Sequence, residues 1–418
     1  MASKWYEDGA LHFALGFEDT FVPQPGPGER PIDEYELTEH YTRYDEDFRN
    51  AARSGAELLR WGLPWYRVNP EPGVWDWDWA DRAVDALTTA ELRPVLDLLH
   101  YGTPLWLDDQ FLNPDYPERV GDYAQAVAER YGDRIEDYTP VNEPMIHALF
   151  CGEYGYWPPY RSGFEGMCQV ALALAKGFVL SQQAVTAALG CRATFVHVDA
   201  GMRYASADRD SEHQQTIARL NEQRFLVEDL VTGRVDSAHC LAESLMRHGV
   251  SETDLDWFST YRAMPDVMGV NYYPRQSTEL FENGVYHTGG FADPRPSRDD
   301  GTEGLVDVLT TWSRRYGVPV MLTETCVTAS VAERVAWMRE SVSAIESLRD
   351  DGLNVVGYTW WPLFDMYEWT YRHTTEPRGS HLLTMGLQDL VETSKGLTRR
   401  DNDALLEFQR LAGACTRV

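Results

Sequence analysis

PVLDLLH (Pro94–His100), PERVGDYAQAVAERY (Pro117–Tyr131) and DYTPVNEP (Asp137–Pro144) follow one another in the first half of the chain, and their reading decides the fold. The first is a short, nearly continuous apolar run, the pattern of a strand covered on both faces. The second has helical periodicity. The third is again a short run, ended by Asn142-Glu143-Pro144. Strand, long helix and strand in that order make a parallel pair, because parallel strands need a crossover rather than a tight hairpin.

Outward from this unit the alternation continues in both directions. Strand-like runs lie at His12–Phe17, Leu58–Leu63, Pro94–Leu99, Asp137–Val141, Ala193–Val198, Val267–Asn271, Pro319–Thr323 and Val355–Trp360. Helix-like segments between them include Trp79–Leu92, Pro117–Tyr131, Cys168–Leu189, Gln214–Leu230 and Val331–Leu348. Eight such runs favour a closed barrel over an open sheet. The expectation is an α/β fold: a single (β/α)8 TIM barrel over residues 1–418, with its active site at the C-terminal ends of the strands. Neither a Gly/Ser or Pro-rich linker nor an internal repeat divides the chain. Two stretches rich in Gly, Pro and acidic residues, Phe21–Asp47 and Gln276–Leu305, read as long loops at the active-site end. The first is either plain surface or a lid over the site.

A chain of 418 residues with 43% hydrophobic side chains has enough apolar material for one large core. Its 66 acidic residues outnumber 37 basic ones, giving a formal charge of −29. That charge opposes nucleic-acid and anionic-membrane partners and does not repel a neutral substrate, though it also serves plain solubility. Cys151, Cys168, Cys191, Cys240, Cys326 and Cys415 are scattered without a CxxC pair, which fits reduced thiols in a cytoplasm. The N-terminus has no basic segment leading into an apolar run, and no run of about 18 apolar residues reads as a membrane span. The expected location is therefore cytoplasmic. The assembly state is left open, a homo-oligomer included.

In a barrel of this kind the chemistry sits just after each strand. Those positions are unusually polar here: Arg60, His100, Asn142-Glu143, Asn271-Tyr272-Tyr273, Thr323-Glu324 and Trp360-Trp361. Two carboxylates from two strand ends facing one cavity suit glycoside cleavage, where one protonates the leaving oxygen and the other attacks or activates water. A single glutamate after a strand is more often a cap or an ion-pair partner. The pair, with histidine, arginine, asparagine and aromatics on the same rim, outweighs that reading.

TPVNEP (Thr139–Pro144), GVNYY (Gly269–Tyr273), VMLTET (Val320–Thr325) and GYTWWPLFDMYEW (Gly357–Trp369), in this order, resemble family 1 of the glycoside hydrolases, the β-glucosidase family. The likeness runs with gaps from Phe13 to Gln388. It implies a retaining β-glycosidase working by double displacement, with Glu143 as acid/base and Glu324 as nucleophile. It further implies that Arg60 and Tyr273 hold the nucleophile ionised while Glu143 keeps its proton. His100, Asn142, Asn271, Trp361, Glu368 and Trp369 would hold the sugar, polar groups on hydroxyls and aromatic faces on the ring. The implied partner is a small-molecule or oligosaccharide β-glycoside.

The chain also departs from that family. A motif like SAYQIEG, whose Gln holds sugar hydroxyls, is expected after the first strand; GFEDTFVPQ stands there, with Gln24 out of register and Glu18 or Asp19 as substitutes. Thr325-Cys326 replaces the usual Asn-Gly, and Tyr101 replaces a Trp. His197 reads as a buried, backbone-bonded histidine more than a pocket residue. Trp75, Trp77 and Trp79 read as packing or as a platform for the leaving group. With no phosphate loop, HExxH helix or nucleophile elbow, neither a metal nor a cofactor is expected. A transglycosidase, a sugar-binding barrel without turnover and a metal-dependent barrel enzyme remain as alternatives.

Overall fold

The structure is a computed structural model, and it describes residues 4–206, 214–281 and 296–415. Eight parallel strands close into a barrel: β1 (His12–Gly16), β2 (Leu58–Gly62), β3 (Arg93–Asp97), β4 (Asp137–Thr139), β5 (Thr194–Ala200), β6 (Val267–Asn271), β7 (Val320–Glu324) and β8 (Val355–Trp360). Each pairs with its neighbours in chain order. Pairing of His12–Leu15 with Gly357–Trp360 joins β8 back to β1.

The strand period of two sorts the side chains. Ala14, Leu58, Val95, Val196, Val198, Val267, Met321 and Val356 form the barrel's inner cluster, with Trp5 packed into it. Two residues onward along β2 and β3 the same inward face carries Arg60 and Asp97, so the apolar filling gives way to charge toward the C-terminal end. One step further, Gly62 has no Cβ because Asp19 occupies that space, its carboxylate only 1.7 Å from where a Cβ would stand.

The outer layer includes α1 (His40–Arg53), α2 (Asp78–Thr89), α3 (Tyr116–Tyr131), α4 (Gly163–Leu189), α5 (Gln214–Gln223), α6 (Gly301–Tyr316), α7 (Val331–Asp350) and α8 (Asp403–Cys415). Helix α7 starts on a reciprocal cap: Ser330 accepts from the Glu333 backbone while Glu333 accepts from that of Ser330. The expected helix over Gln214–Leu230 is broken. Arg224 turns inward to donate to the Met202 carbonyl at 2.5 Å, and a second helix begins at Leu226. Helix α4, with its C-terminal extension to Arg192, is long and apolar enough to cross a bilayer, which the sequence reading missed. Here its buried residues, Val170, Leu174 and Phe178 among them, join the outer core shared with α3.

The stretch expected to be a loop or lid is pinned. Phe21–Val22 pairs with Ile32–Asp33, and Phe21, Val22, Ile32 and Tyr35 are buried. Arg372, itself fully buried, donates to the carbonyls of Val22 (3.1 Å), Arg30 (3.2 Å) and Gln24, and to Glu29 at 2.8 Å. Arg372→Ala removes these four hydrogen bonds and a fifth to the Tyr160 hydroxyl, and is expected to lower stability by about 3 kcal/mol, read by urea unfolding. In the second loop, Thr278–Phe281 pairs with Arg203–Ser206 and Thr278 with Arg298. Residues 282–295 of that expected loop lie outside the described ones, and α6 already begins at Gly301.

Candidate active site

Both glutamates owe their direction to a local departure from regular backbone. In β7 the register with β6 slips between Leu322 and Glu324, and this bulge turns Glu324 toward the cavity. Glu143 follows β4 at φ 43°, in the left-handed region, with its N–H donating to the Val198 carbonyl at 3.0 Å. Such strain on a non-glycine residue persists only where the surroundings enforce it, and it concentrates at functional sites.

Glu143 and Glu324 line one cavity at the C-terminal ends of the strands, with Glu18, His100, Tyr101, Asn271, Tyr273, Glu368 and Trp369. Ile146, Phe150, Met202, Leu383 and Met385 add an apolar wall. Asn142 and Trp361, expected in the pocket wall, stand one layer behind it, beside Arg60, which contacts Glu324 as expected. Arg60 donates to Glu324 Oε1 and Asp97 Oδ2, each at 2.6 Å, and to Asn142 Oδ1 at 2.8 Å. Asn142 Nδ2 lies 3.0 Å from His100 Nε2. Trp361 donates from Nε1 to Glu18 Oε2 at 2.9 Å and stacks its ring on His100. Tyr273 donates to Glu324 Oε2 at 2.6 Å, and Asn271 Nδ2 donates to Glu143 Oε1 at 3.0 Å.

The donor sets of the two glutamates differ in charge. Glu324 receives a guanidinium and a phenol; Glu143 receives only neutral donors, the Tyr101 hydroxyl and the Asn271 amide. Burial raises both carboxyls, taking Glu324 up to about 8 against the pull of Arg60 and with the push of Glu143. They titrate as a pair, and only Glu324 meets a guanidinium, which favours negative charge on that member. Between the ordinary carboxyl value of 4.5 and about 8, the folded pair keeps a proton that the unfolded chain has released. Stability should therefore fall as pH rises through that window. Urea unfolding at its two ends should show a smaller difference for Glu324→Gln than for the parent chain.

Beneath the pair lies a second charged cluster. Burial works against charging His100, yet Asp19, 2.6 Å from its Nδ1, and Asp97 push its titration above the usual histidine range. Donor atoms of Asp19, Asp97 and His100 lie close enough together to hold a metal ion. The Arg60 guanidinium on Asp97 already supplies positive charge there.

The weaker candidates fall elsewhere. His197 is buried between Glu228 and Gln182, at 2.8 Å from each. Gln24 is spent on the Thr103 carbonyl at 2.8 Å. Trp75 and Trp77 stack on each other, and Trp79 donates to the Tyr41 carbonyl. Tyr101 and the methionine wall were not read as site residues from sequence. The Tyr101 position, directly after His100 on a strand end, was the available signal.

Two buried carboxylates with unlike donor sets, facing one hollow at the C-terminal rim of a closed barrel, place the molecule among the barrel enzymes that cleave glycosidic bonds. The sequence pattern of glycosyl hydrolase family 1 matches residues 5–376, and the chain belongs to that family. Beta-glucosidase 26 of Oryza sativa subsp. japonica is 23% identical over 415 residues, covering 85% of this chain and 79% of the relative. Thermostable beta-glucosidase B of Thermobispora bispora is 26% identical over 400 residues, covering 88% and 80%. The beta-glucosidase from Thermotoga maritima in complex with deoxynojirimycin superposes with a TM-score of 0.80 at 18% identity over 98% of each chain. At that identity the likeness is one of fold.

Proposed function

We propose that the chain hydrolyses a β-O-glycosidic bond with retention of configuration. The observation that carries this reading is the unlike donor sets on two carboxylates of one cavity. Glu324, kept anionic by Arg60 and Tyr273, attacks the anomeric carbon while Glu143 gives its proton to the departing oxygen. A glycosyl ester on Glu324 results. Glu143, now a carboxylate, takes a proton from the water that cleaves the ester, and both groups return to their starting states.

His100, Asn271, Glu368 and Trp369 line the sugar half of the cavity in this reading, with Asn142 and Trp361 orienting them from behind. Glu18 stands in for the missing glutamine as a hydroxyl acceptor. The apolar wall from Ile146 to Met385 suits a hydrophobic leaving group. Cys151, Cys168, Cys191, Cys240 and Cys326 are free, which supports a cytoplasmic location.

The test is Glu143→Ala on a series of aryl β-glycosides. Substrates with poor leaving groups should slow by about a hundredfold or more, while those with very good ones keep their bond-cleavage step. Uniform near-normal rates across the series would overturn the assignment. Adding an alcohol acceptor separates hydrolysis from sugar transfer, and product anomers read by proton NMR at early times report retention.

A further inference from the structure

We propose that Tyr101 is the proton-switch partner of Glu143, its hydroxyl accepting from the protonated acid and donating to the carboxylate that proton transfer leaves behind. The inference rests on Glu143 being the acid/base. It adds a positioning residue that acts through that glutamate.

The argument begins at Asn271. The Arg60 guanidinium, which can only donate, makes Asn142 Oδ1 an acceptor at 2.8 Å, and Asn271 presents its Nδ2 to that same oxygen at 3.4 Å, which fixes which end of the amide faces which way. Nδ2 therefore points at Glu143 Oε1, 3.0 Å away. An amide NH2 can only donate, so Oε1 accepts, the part that the carbonyl oxygen of a carboxylic acid plays best. The acidic proton belongs on Oε2, the oxygen in contact with the Tyr101 hydroxyl. A hydroxyl can accept or donate, so it serves both protonation states of this carboxyl without moving.

Tyr101 is also held for the task. Its φ of 75° is left-handed, and the next residue is Gly102, where a Cβ would stand 1.6 Å from the Phe21 carbonyl oxygen. The Phe21 N–H in turn donates to the His100 carbonyl at 3.1 Å. The Tyr101 ring packs against His147, Trp157 and Trp369, with centroids 4.6, 4.9 and 5.4 Å away. Backbone strain and ring packing together leave the hydroxyl little freedom except rotation of its hydrogen.

The charged and titratable groups that act on Glu143 from neighbouring elements are His100, Arg60, Glu324, Tyr273 and Asp199. His147, on Glu143's own short helix, is kept neutral by burial. None of these donates a hydrogen bond to Oε2 among the described residues. Loss of the Tyr101 hydroxyl removes a donor that favours the charged carboxylate, so the acid should hold its proton to higher pH.

The experiment is a carbon-13 NMR titration of glutamate-labelled protein, comparing Tyr101 with Tyr101→Phe in a Glu324→Gln background. That background makes the titration Glu143's own, and the matching Glu143→Gln protein identifies its signal. Tyr101→Phe should raise the midpoint by about one pH unit, the size that one hydrogen bond to a charged group supports. Replacement by 3-fluorotyrosine, a stronger donor that keeps the ring, should lower it. With Glu324 restored, the alkaline limb of kcat/KM on a poor-leaving-group glycoside should move up in parallel, with kcat reduced and KM little changed. An unmoved midpoint in both variants overturns the proposal. A shifted midpoint in a protein that cleaves no glycoside keeps the Tyr101 contact and overturns the proposed function instead.

Discussion

Glu324→Ala is expected to lower turnover of an ordinary β-glycoside by at least about a thousandfold, because the covalent path needs a carboxylate at the anomeric carbon. The variant should still fold. Arg60 loses one of its two carboxylate partners but keeps Asp97 at 2.6 Å and the Thr323 carbonyl at 3.2 Å. What remains beside Arg60 and Tyr273 is a small gap lined by a cation and a hydroxyl. Azide or formate should enter it and attack from the side the carboxylate used. Attack from that face on a substrate with a good leaving group gives the α-configured product, inverted relative to the substrate, and Glu143 then has no ester to cleave. Recovery of rate with added azide, and an α-glycosyl azide by NMR, are the readouts. A variant that keeps near-normal turnover, or gives only β-configured product, would remove Glu324 from the nucleophile's place.

Arg60→Met is expected to be the most destabilising single change at the site, at about 3 to 5 kcal/mol at neutral pH. The guanidinium is fully buried and bonded to Glu324, Asp97 and Asn142, and it lies over the Trp361 ring at 4.8 Å. Methionine fills much of the volume but leaves two buried carboxylates without their cation. Both would then hold protons more tightly, so the penalty should shrink as pH falls and those groups neutralise. Turnover should fall as well, by about a hundredfold, because an uncharged Glu324 is a poor nucleophile. Urea unfolding across pH, with rates in parallel, measures both. A loss below about 1 kcal/mol at neutral pH would mean that Asp97 and Glu324 are already neutral in the parent chain. The assignment of charge to Glu324 would then fail.

Strand-end residues were legible in the sequence because a barrel strand has a simple grammar. Inward positions recur at a period of two, and the last of them reaches the rim. Arg60, Asn271 and Tyr273 follow from that rule, while His100, Glu143 and Glu324 were legible only as polar residues directly after a strand, their direction being set by departures from regular backbone. The residues it misplaced, Asn142 and Trp361, lie at the right strand ends but behind the wall. Strand position says which end a side chain occupies and not its depth.

Loop contributions were illegible for a different reason. Glu18 meets Trp361, and Arg372 holds Val22 and Gln24, across more than three hundred residues of chain. The apolar wall draws Ile146, Met202 and Met385 from three separate connections. No local pattern encodes such meetings.

The order of strands and helices, the closure of eight strands into one barrel and the two candidate carboxylates were therefore determined by sequence alone, since hydrophobic period and chain order are local properties. Tertiary structure decided which donors each glutamate meets. That choice depends on a guanidinium from β2 reaching Glu324 on β7, while Glu143 meets only a phenol and an amide. Charge interactions act through space and strengthen with burial, so only the folded arrangement could set them.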